Sequence, residues 1–291
     1  MDVKTTTSFN LLIISDLHLG EDIKPTTKTG FLKRAVRLER ELLAFFEHYT
    51  HTRLDGRPWR LIINGDMVDF LSVCLFPRAD DPAATDPEDF VYGLGSRPEA
   101  AQHKMLRVIE RHEDVFRQLA QFVGAGNELA IVAGNHDIEF HWEPVQKAAR
   151  EGLVRLWALT PEAARTGASS PAEVAARVGF YPWFYYEENV VWVEHGHQYD
   201  DYCSVDTILH PIEPAHEGII PTVGGVGMRY VINHVGSGDA AEQEDRTAFG
   251  YVRWAFAQGL GGVFHIARSY LRMVWRMVSL NRAFARRDDE A

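Results

Sequence analysis

The stretch Leu11-Leu12-Ile13-Ile14-Ser15-Asp16-Leu17-His18-Leu19-Gly20 decides how the rest of the chain is read. Four apolar residues in a row read as a buried strand, and the chain turns polar directly after them. Side chains alternate along extended backbone, so Asp16 and His18 point the same way just past the strand end. A carboxylate and an imidazole fixed on one side of a strand end make half of a divalent-metal site. That donor mixture suits Mn, Fe or Zn better than Ca. Alone, the pair would pass equally well as a strand-end cap or turn, so its weight depends on whether the pattern returns.

It does return. Trp59-Arg60-Leu61-Ile62-Ile63-Asn64 ends in Gly65-Asp66-Met67-Val68-Asp69, and Leu129-Ala130-Ile131-Val132-Ala133 delivers Gly134-Asn135-His136-Asp137. Asn189-Val190-Val191-Trp192-Val193 delivers Glu194-His195-Gly196-His197. Singly, Asp66 reads as a helix N-cap, the Gly-Asn-His-Asp run as a turn, and His195 or His197 as a surface histidine. Together, hydrophobic strands that each end in a metal-ligand residue exceed what turn chemistry explains.

Helical periodicity separates these strands. It predicts a helix over Phe31–Tyr49 and one long helix over Glu99–Val123, ended by Gly124-Ala125-Gly126-Asn127. Residues 143–178 read as two short helices parted by Thr166–Pro171, and Tyr181–Tyr186 reads as a strand joined to Asn189–Val193 at Glu187-Glu188. Strands alternating with helices, each strand ending in a polar cluster, predict an α/β fold with one site at the strand ends. Asp16/His18, Asp66, Asn135/His136 and His195/His197 form the inventory of a two-metal phosphoryl-transfer site. Such a site needs a bridging carboxylate, nitrogen and oxygen caps, and an imidazole able to protonate the leaving oxygen.

A length of 291 residues suffices for one sizeable core with a smaller appendage. The net charge of −11 argues against a general nucleic-acid binder. Cys74 and Cys203 stand far apart in no metal-ligand spacing, which predicts a reduced, cytoplasmic protein. Met1–Thr5 lacks a basic region followed by an apolar run, so no signal peptide is expected, and no apolar run is long enough to span a bilayer.

The order D-x-H, G-D-x-x-D, G-N-H-D and then H-G after a later strand resembles the calcineurin-like metallophosphoesterase superfamily over roughly residues 11–200. The resemblance implies a four-layer αββα sandwich of two mixed sheets, with a catalytic domain over 1–200 and a loop and basic helical extension over 201–291. It also implies a dinuclear centre, with manganese the expected metal and iron or zinc the alternatives. By this resemblance Asp16 and His18 are ligands of the first metal, Asp66 the bridge, and Asn135 and His195 ligands of the second. His136 contacts the phosphate and assists the leaving group, Asp137 orients His136, and Asp69 stands behind the ligands. The implied activity is hydrolysis of a phosphate ester or pyrophosphate in a phosphorylated small molecule or lipid-linked substrate.

One element of the family pattern is missing. The family closes with a further strand ending in G-H-x-H, and His210, His216, His234 and His265 all stand in other contexts. Either Glu194-His195-Gly196-His197 merges the last two motifs and His197 is also a ligand, or the chain lacks a C-terminal portion. The second case allows a different class of function: a scaffold that keeps the fold and binds a partner or membrane without turnover.

From Arg246 to Arg287 the chain has eight arginines and no acidic residue, interleaved with aromatics. Arg268, Arg272 and Arg276 fall on one helix face, with Leu271, Val274, Trp275 and Val278 largely away from it. Gly259–Gly262 is expected to split the segment into two helices. Residues 246–287 thus suit an anionic membrane surface, peripheral on its inner face, or else a helix packed on the body with its arginines paired to acids. One branch of the superfamily, which cleaves the pyrophosphate of UDP-diacylglucosamine, carries basic helices at the same point. It usually has Arg where His136 stands here, so its substrate is not carried over.

Overall fold

The computed structural model describes residues 8–23, 29–213, 217–233 and 259–290. The opening strand forms as its residues predict: β1 (Asn10–Ile14) leads through α1 (Thr29–His51) to β2 (Trp59–Asn64), and the two strands pair in parallel, Leu12 beside Leu61. A long connection carries α2 (Asp89–Tyr92), α3 (Pro98–Arg111) and α4 (Glu113–Gly124) before β3 (Glu128–Val132) joins β2 in parallel. α5 (Glu143–Ala158) and α6 (Pro171–Ala176) then lead to β4 (Val178–Tyr181), which completes a four-stranded sheet of order β1-β2-β3-β4. β5 (Phe184–Glu187) and β6 (Val191–Glu194) form a separate antiparallel pair.

The fold is therefore α/β, with a parallel four-stranded sheet, a second small sheet and helices. The described strands give one wholly parallel sheet and one antiparallel pair, where the family resemblance leads one to expect two mixed sheets. Helical crossovers dictate the parallel arrangement of the first sheet. The alternation of side chains then builds two cores. Leu61, Ile63, Leu129 and Ile131 pack with Phe46, Phe116, Phe122 and Leu156 of the helices, whereas Ile62, Ala130 and Val132 face Tyr185 and Val193 of the small sheet.

Two element boundaries differ from the periodicity. The helix expected over Glu99–Val123 is broken at His112, whose backbone leaves the helical region (φ −111°, ψ 35°). The buried imidazole is committed elsewhere: Gly20 donates its N–H to Nε2 (2.9 Å), and Nδ1 bonds Glu39 (2.5 Å). That pairing ties the helical layer to the end of the Asp16–Gly20 loop. The strand expected over Tyr181–Tyr186 is divided between β4 and β5, with Pro182 and Trp183 at the corner, because proline cannot donate to a ladder.

Beyond the small sheet, α7 (Val223–Gly227) continues as a π-helical turn, Met228–Ile232, and α8 runs from Gly259 to Glu290. Gly259–Gly262 opens this helix instead of dividing two, and the part of that expectation before 259 lies outside the described residues. Among the described residues no helix is long and apolar enough to cross a membrane.

Ile62 is fully buried between the two sheets. Ile62→Ala is expected to lower the unfolding free energy by about 2–5 kcal/mol through lost contacts and a cavity. A urea melt reads this as a fall in midpoint, and an unmoved midpoint would mean the small sheet does not seal the parallel one.

Candidate metal centre

The loops following β1, β2 and β3 are laced together by their backbones. Asp16 donates its N–H to the Gly65 carbonyl (3.2 Å), His18 to that of Asp66 (2.9 Å) and Leu19 to that of Met67 (3.0 Å); Phe70 donates to His136 (3.0 Å). Asp16, His18 and Asp66 all adopt positive φ (58°, 47° and 54°) at the strand ends, where Asp66 is buried, His18 half-buried and Asp16 exposed. Gly65 and Gly134 make room: a Cβ on Gly65 would overlap the His195 ring, and one on Gly134 would overlap the Asp66 carboxylate.

The result is two His/Asp groups that share Asp66. His18, Asp66 and His136 bring one ligand atom each within 4.8 Å of one another, and so do Asp16, Asp66 and His195. Asp66 Oδ2 lies 3.7 Å from His18 Nε2 and 3.4 Å from His195 Nε2, while its Oδ1 accepts the His136 backbone N–H at 2.9 Å. His195 turns Nδ1 to the Asn64 carbonyl (2.9 Å), which leaves Nε2 aimed at Asp66. An imidazole anchored through one nitrogen and free at the other is the usual posture of a metal ligand. The donor set and the glycine-lined space fit a pair of divalent cations.

Asp16 clusters with His195 and His18 with His136, and Asp16 Oδ1 also lies 4.0 Å from His18 Nε2, so the two residues of the D-x-H motif are neighbours across the two groups. Asn135 lines the neighbouring cavity. His197 stands outside both groups, its ring 5.5 Å from that of His195 and its buried Nδ1 without a hydrogen-bond partner. Burial, with the charge of His195, lowers its pKa to about 4.

Asp137 is a correction to the expected set. It does not touch the His136 ring. Its buried carboxylate accepts the backbone N–H groups of Gly134 (2.6 Å), Met67 (2.7 Å), Asp66 and Val68 (3.3 Å each), fastening the β2 loop to the β3 loop. The group that orients His136 is Asp69, whose Oδ1 meets Nδ1 at 2.9 Å and whose Oδ2 lies 3.8 Å from His18 Nδ1.

The electrostatics follow from this packing. Burial opposes charge on His18, Asp66, Asp69, His136 and His195, and their oppositely charged neighbours outweigh it. Burial would lower His136, yet Asp69, with Asp66 and Asp137 behind it, pushes the imidazole up to about 9. His195 rises to about 9 through Asp66 in the same way, and His18 is raised by Asp69. His195 and His136 in turn hold Asp66 below the usual carboxylate range despite its burial. Burial and the charge of Asp66 push Asp137 up to about 7.

A cavity of about 230 Å³ adjoins the site at Asn135. Phe70, Leu94, Ile138, Ile219, Val226 and Tyr230 supply much of its wall. Its arginines are spoken for: Arg97 and Arg229 lie at Asp89, Arg272 at Glu88, and Arg276 at Glu213. Lys104, which burial lowers to about 8, donates to the Phe70 carbonyl (3.1 Å) near Glu139, which burial raises to about 7. Sequence reasoning missed Lys104 and Glu139; for Lys104 the signal was a charge set among the apolar positions of the helical run, and Glu139, in a short turn, gave none. No family model matches the chain, and no curated protein and no solved structure matches it.

Asp69→Asn removes the nearest charge that holds the proton on His136 and leaves Asp66 and Asp137 alone against burial. The His136 pKa should fall from about 9 toward the ordinary 6.5, read by proton NMR titration of the metal-free protein. In the parent protein the raised value adds stability that is complete below about 6.5 and is lost as pH rises through about 9. The variant should lack that alkaline loss, and an unmoved His136 resonance would show that Asp69 does not hold the proton.

Proposed function

We propose that this chain is a metal-dependent phosphoesterase of the calcineurin-like metallophosphoesterase type, built on that family's αββα sandwich and hydrolysing a phosphate ester or pyrophosphate. The observation that carries the reading is the pair of His/Asp groups sharing Asp66 at the ends of parallel strands. Two divalent cations, manganese by preference and iron or zinc as alternatives, would neutralise phosphoryl charge there and lower the pKa of the attacking water. Asp66 would serve both ions, with Asp16 and His195 holding one and His18 the other, and Asn135 would contribute its amide oxygen. His136, anchored through Nδ1 by Asp69, presents Nε2 to the leaving oxygen and gives it a proton. Asp137 keeps the two loops in register and so places Asp66 and His136 relative to each other. The cavity beside Asn135, whose wall mixes apolar side chains with paired acids and arginines, would receive the part of the substrate beyond the phosphate.

A specific observation supports a second reading. His197 stands outside both groups, so nothing among the described residues fills the place of the family's closing histidine pair. A scaffold that holds metal without turnover would look the same.

Manganese titrated into the apo-protein, followed by hydrolysis of an aryl phosphodiester, separates the two readings. The enzyme reading expects two bound ions and turnover, with both lost in Asp66→Ala. His136→Ala should keep the fold and lower turnover by about 10²–10⁴. Bound metal without turnover on phosphomonoester, diester and pyrophosphate probes would leave the scaffold.

A further inference from the structure

Of the two arrangements open to the arginines of the C-terminal helix, Arg272 and Arg276 take the one in which they pair with acids of the body. Arg272 is ion-paired to Glu88 and Arg276 to Glu213, on the side facing the body. Met273, Met277 and Leu280 pack there beside Tyr92, Val226 and Tyr230. The outer side carries Tyr270, Leu271, Val274, Trp275 and Val278, all exposed, with Leu271 at 70%. Val91 joins Leu271 and Trp275 around a shallow depression, which carries the apolar strip onto the body of the protein. Exposed Arg268 and Arg282 stand at its two ends. A continuous apolar face of this kind marks a contact surface.

We propose that this face docks on an anionic lipid bilayer, the apolar strip lying in the boundary between headgroups and acyl chains and Arg268 and Arg282 meeting lipid phosphates. Tyrosine and tryptophan on the strip suit that boundary, since each has an apolar ring and a polar tip. The helix is not long and apolar enough to cross, so it lies on the surface. From Gly259 to Glu290 the helix has six arginines against Asp288, Asp289 and Glu290, a net charge of +3 where the whole chain carries −11, so an anionic surface admits the molecule helix first. A second copy of the chain fits worse. Antiparallel two-fold pairing of the strip sets Arg268 beside Arg282, and parallel pairing sets Arg268 beside Arg268, so like charges meet either way.

Flotation of the full chain with vesicles tests this. Recovery with phosphatidylcholine–phosphatidylglycerol vesicles should exceed that with phosphatidylcholine alone by about tenfold or more at low salt. Leu271→Glu with Val278→Glu should abolish it, while Leu159→Glu, an equally exposed residue elsewhere, should not. Arg268→Ala with Arg282→Ala should remove the preference for anionic vesicles, and circular dichroism confirms that each variant is folded. Equal recovery on both vesicle types, recovery that survives the double glutamate substitution, or no recovery would overturn the proposal. So would a solution dimer, seen by light scattering, that the glutamates dissolve while vesicles recover nothing. None of these readouts depends on metal or turnover.

Discussion

A buried carboxylate with four backbone N–H donors is the constraint on which the rest of the site depends. Asp137 gathers the amides of Gly134, Asp66, Met67 and Val68, and so joins the end of β2 to the end of β3. Each of those amides would otherwise be an unsatisfied donor in the interior, at a cost of about 1–3 kcal/mol. The carboxylate takes up all of them at once, and in doing so fixes Asp66 at the distance where its two oxygens serve different neighbours. Charge on Asp137 is itself opposed by burial and by Asp66. The loops therefore hold a group that is costly to ionise, and the donors around it are what keep it in place.

The architecture converts that local constraint into a site. Parallel strands deliver their C-terminal ends to the same edge of the sheet, so β1, β2 and β3 bring Asp16, His18, Asp66 and His136 together without any long-range coincidence. The antiparallel pair serves a different purpose. It covers the second face of the sheet through Tyr185 and Val193, and β6 then leads His195 to Asp66 from outside the parallel layer. On the other side, His112 carries the helical layer to Gly20, so the Asp16–Gly20 loop is braced from behind. Sheet, hairpin and helices each contribute one fastening to the same few residues.

The strands and the identities of the residues at their ends were legible because both are local. An apolar run and the polar residues that follow it need no knowledge of the rest of the chain. What could not be read depends on contacts distant in sequence. Periodicity ran through His112 because nothing nearby reveals that its imidazole is used by Gly20 and Glu39. The family resemblance implied Asp137 as the partner of His136, but the partner is Asp69, brought across from the β2 loop. The arginine stripe of α8 was visible, yet which way it faces depends on Glu88 and Glu213, and those acids turn it inward. Composition named the partners in each case, and only packing decided which of them met.

The backbone at the site gives an argument independent of donor chemistry. Asp16, His18 and Asp66 all occupy the left-handed region, where a non-glycine residue costs about 1–3 kcal/mol, less for the aspartate and histidine types that tolerate it best. Turns can be made more cheaply with glycine or asparagine, and this chain uses glycine at neighbouring positions such as Gly65. The loop hydrogen bonds of His18 to Asp66 and Leu19 to Met67 keep these conformations from relaxing. Asp55, Asn189 and Glu217 share this conformation away from the site, so positive φ alone does not mark a ligand position. What sets Asp16, His18 and Asp66 apart is that bonds between two loops hold all three in it beside one another, and in that respect the backbone and the His/Asp clustering point to the same residues.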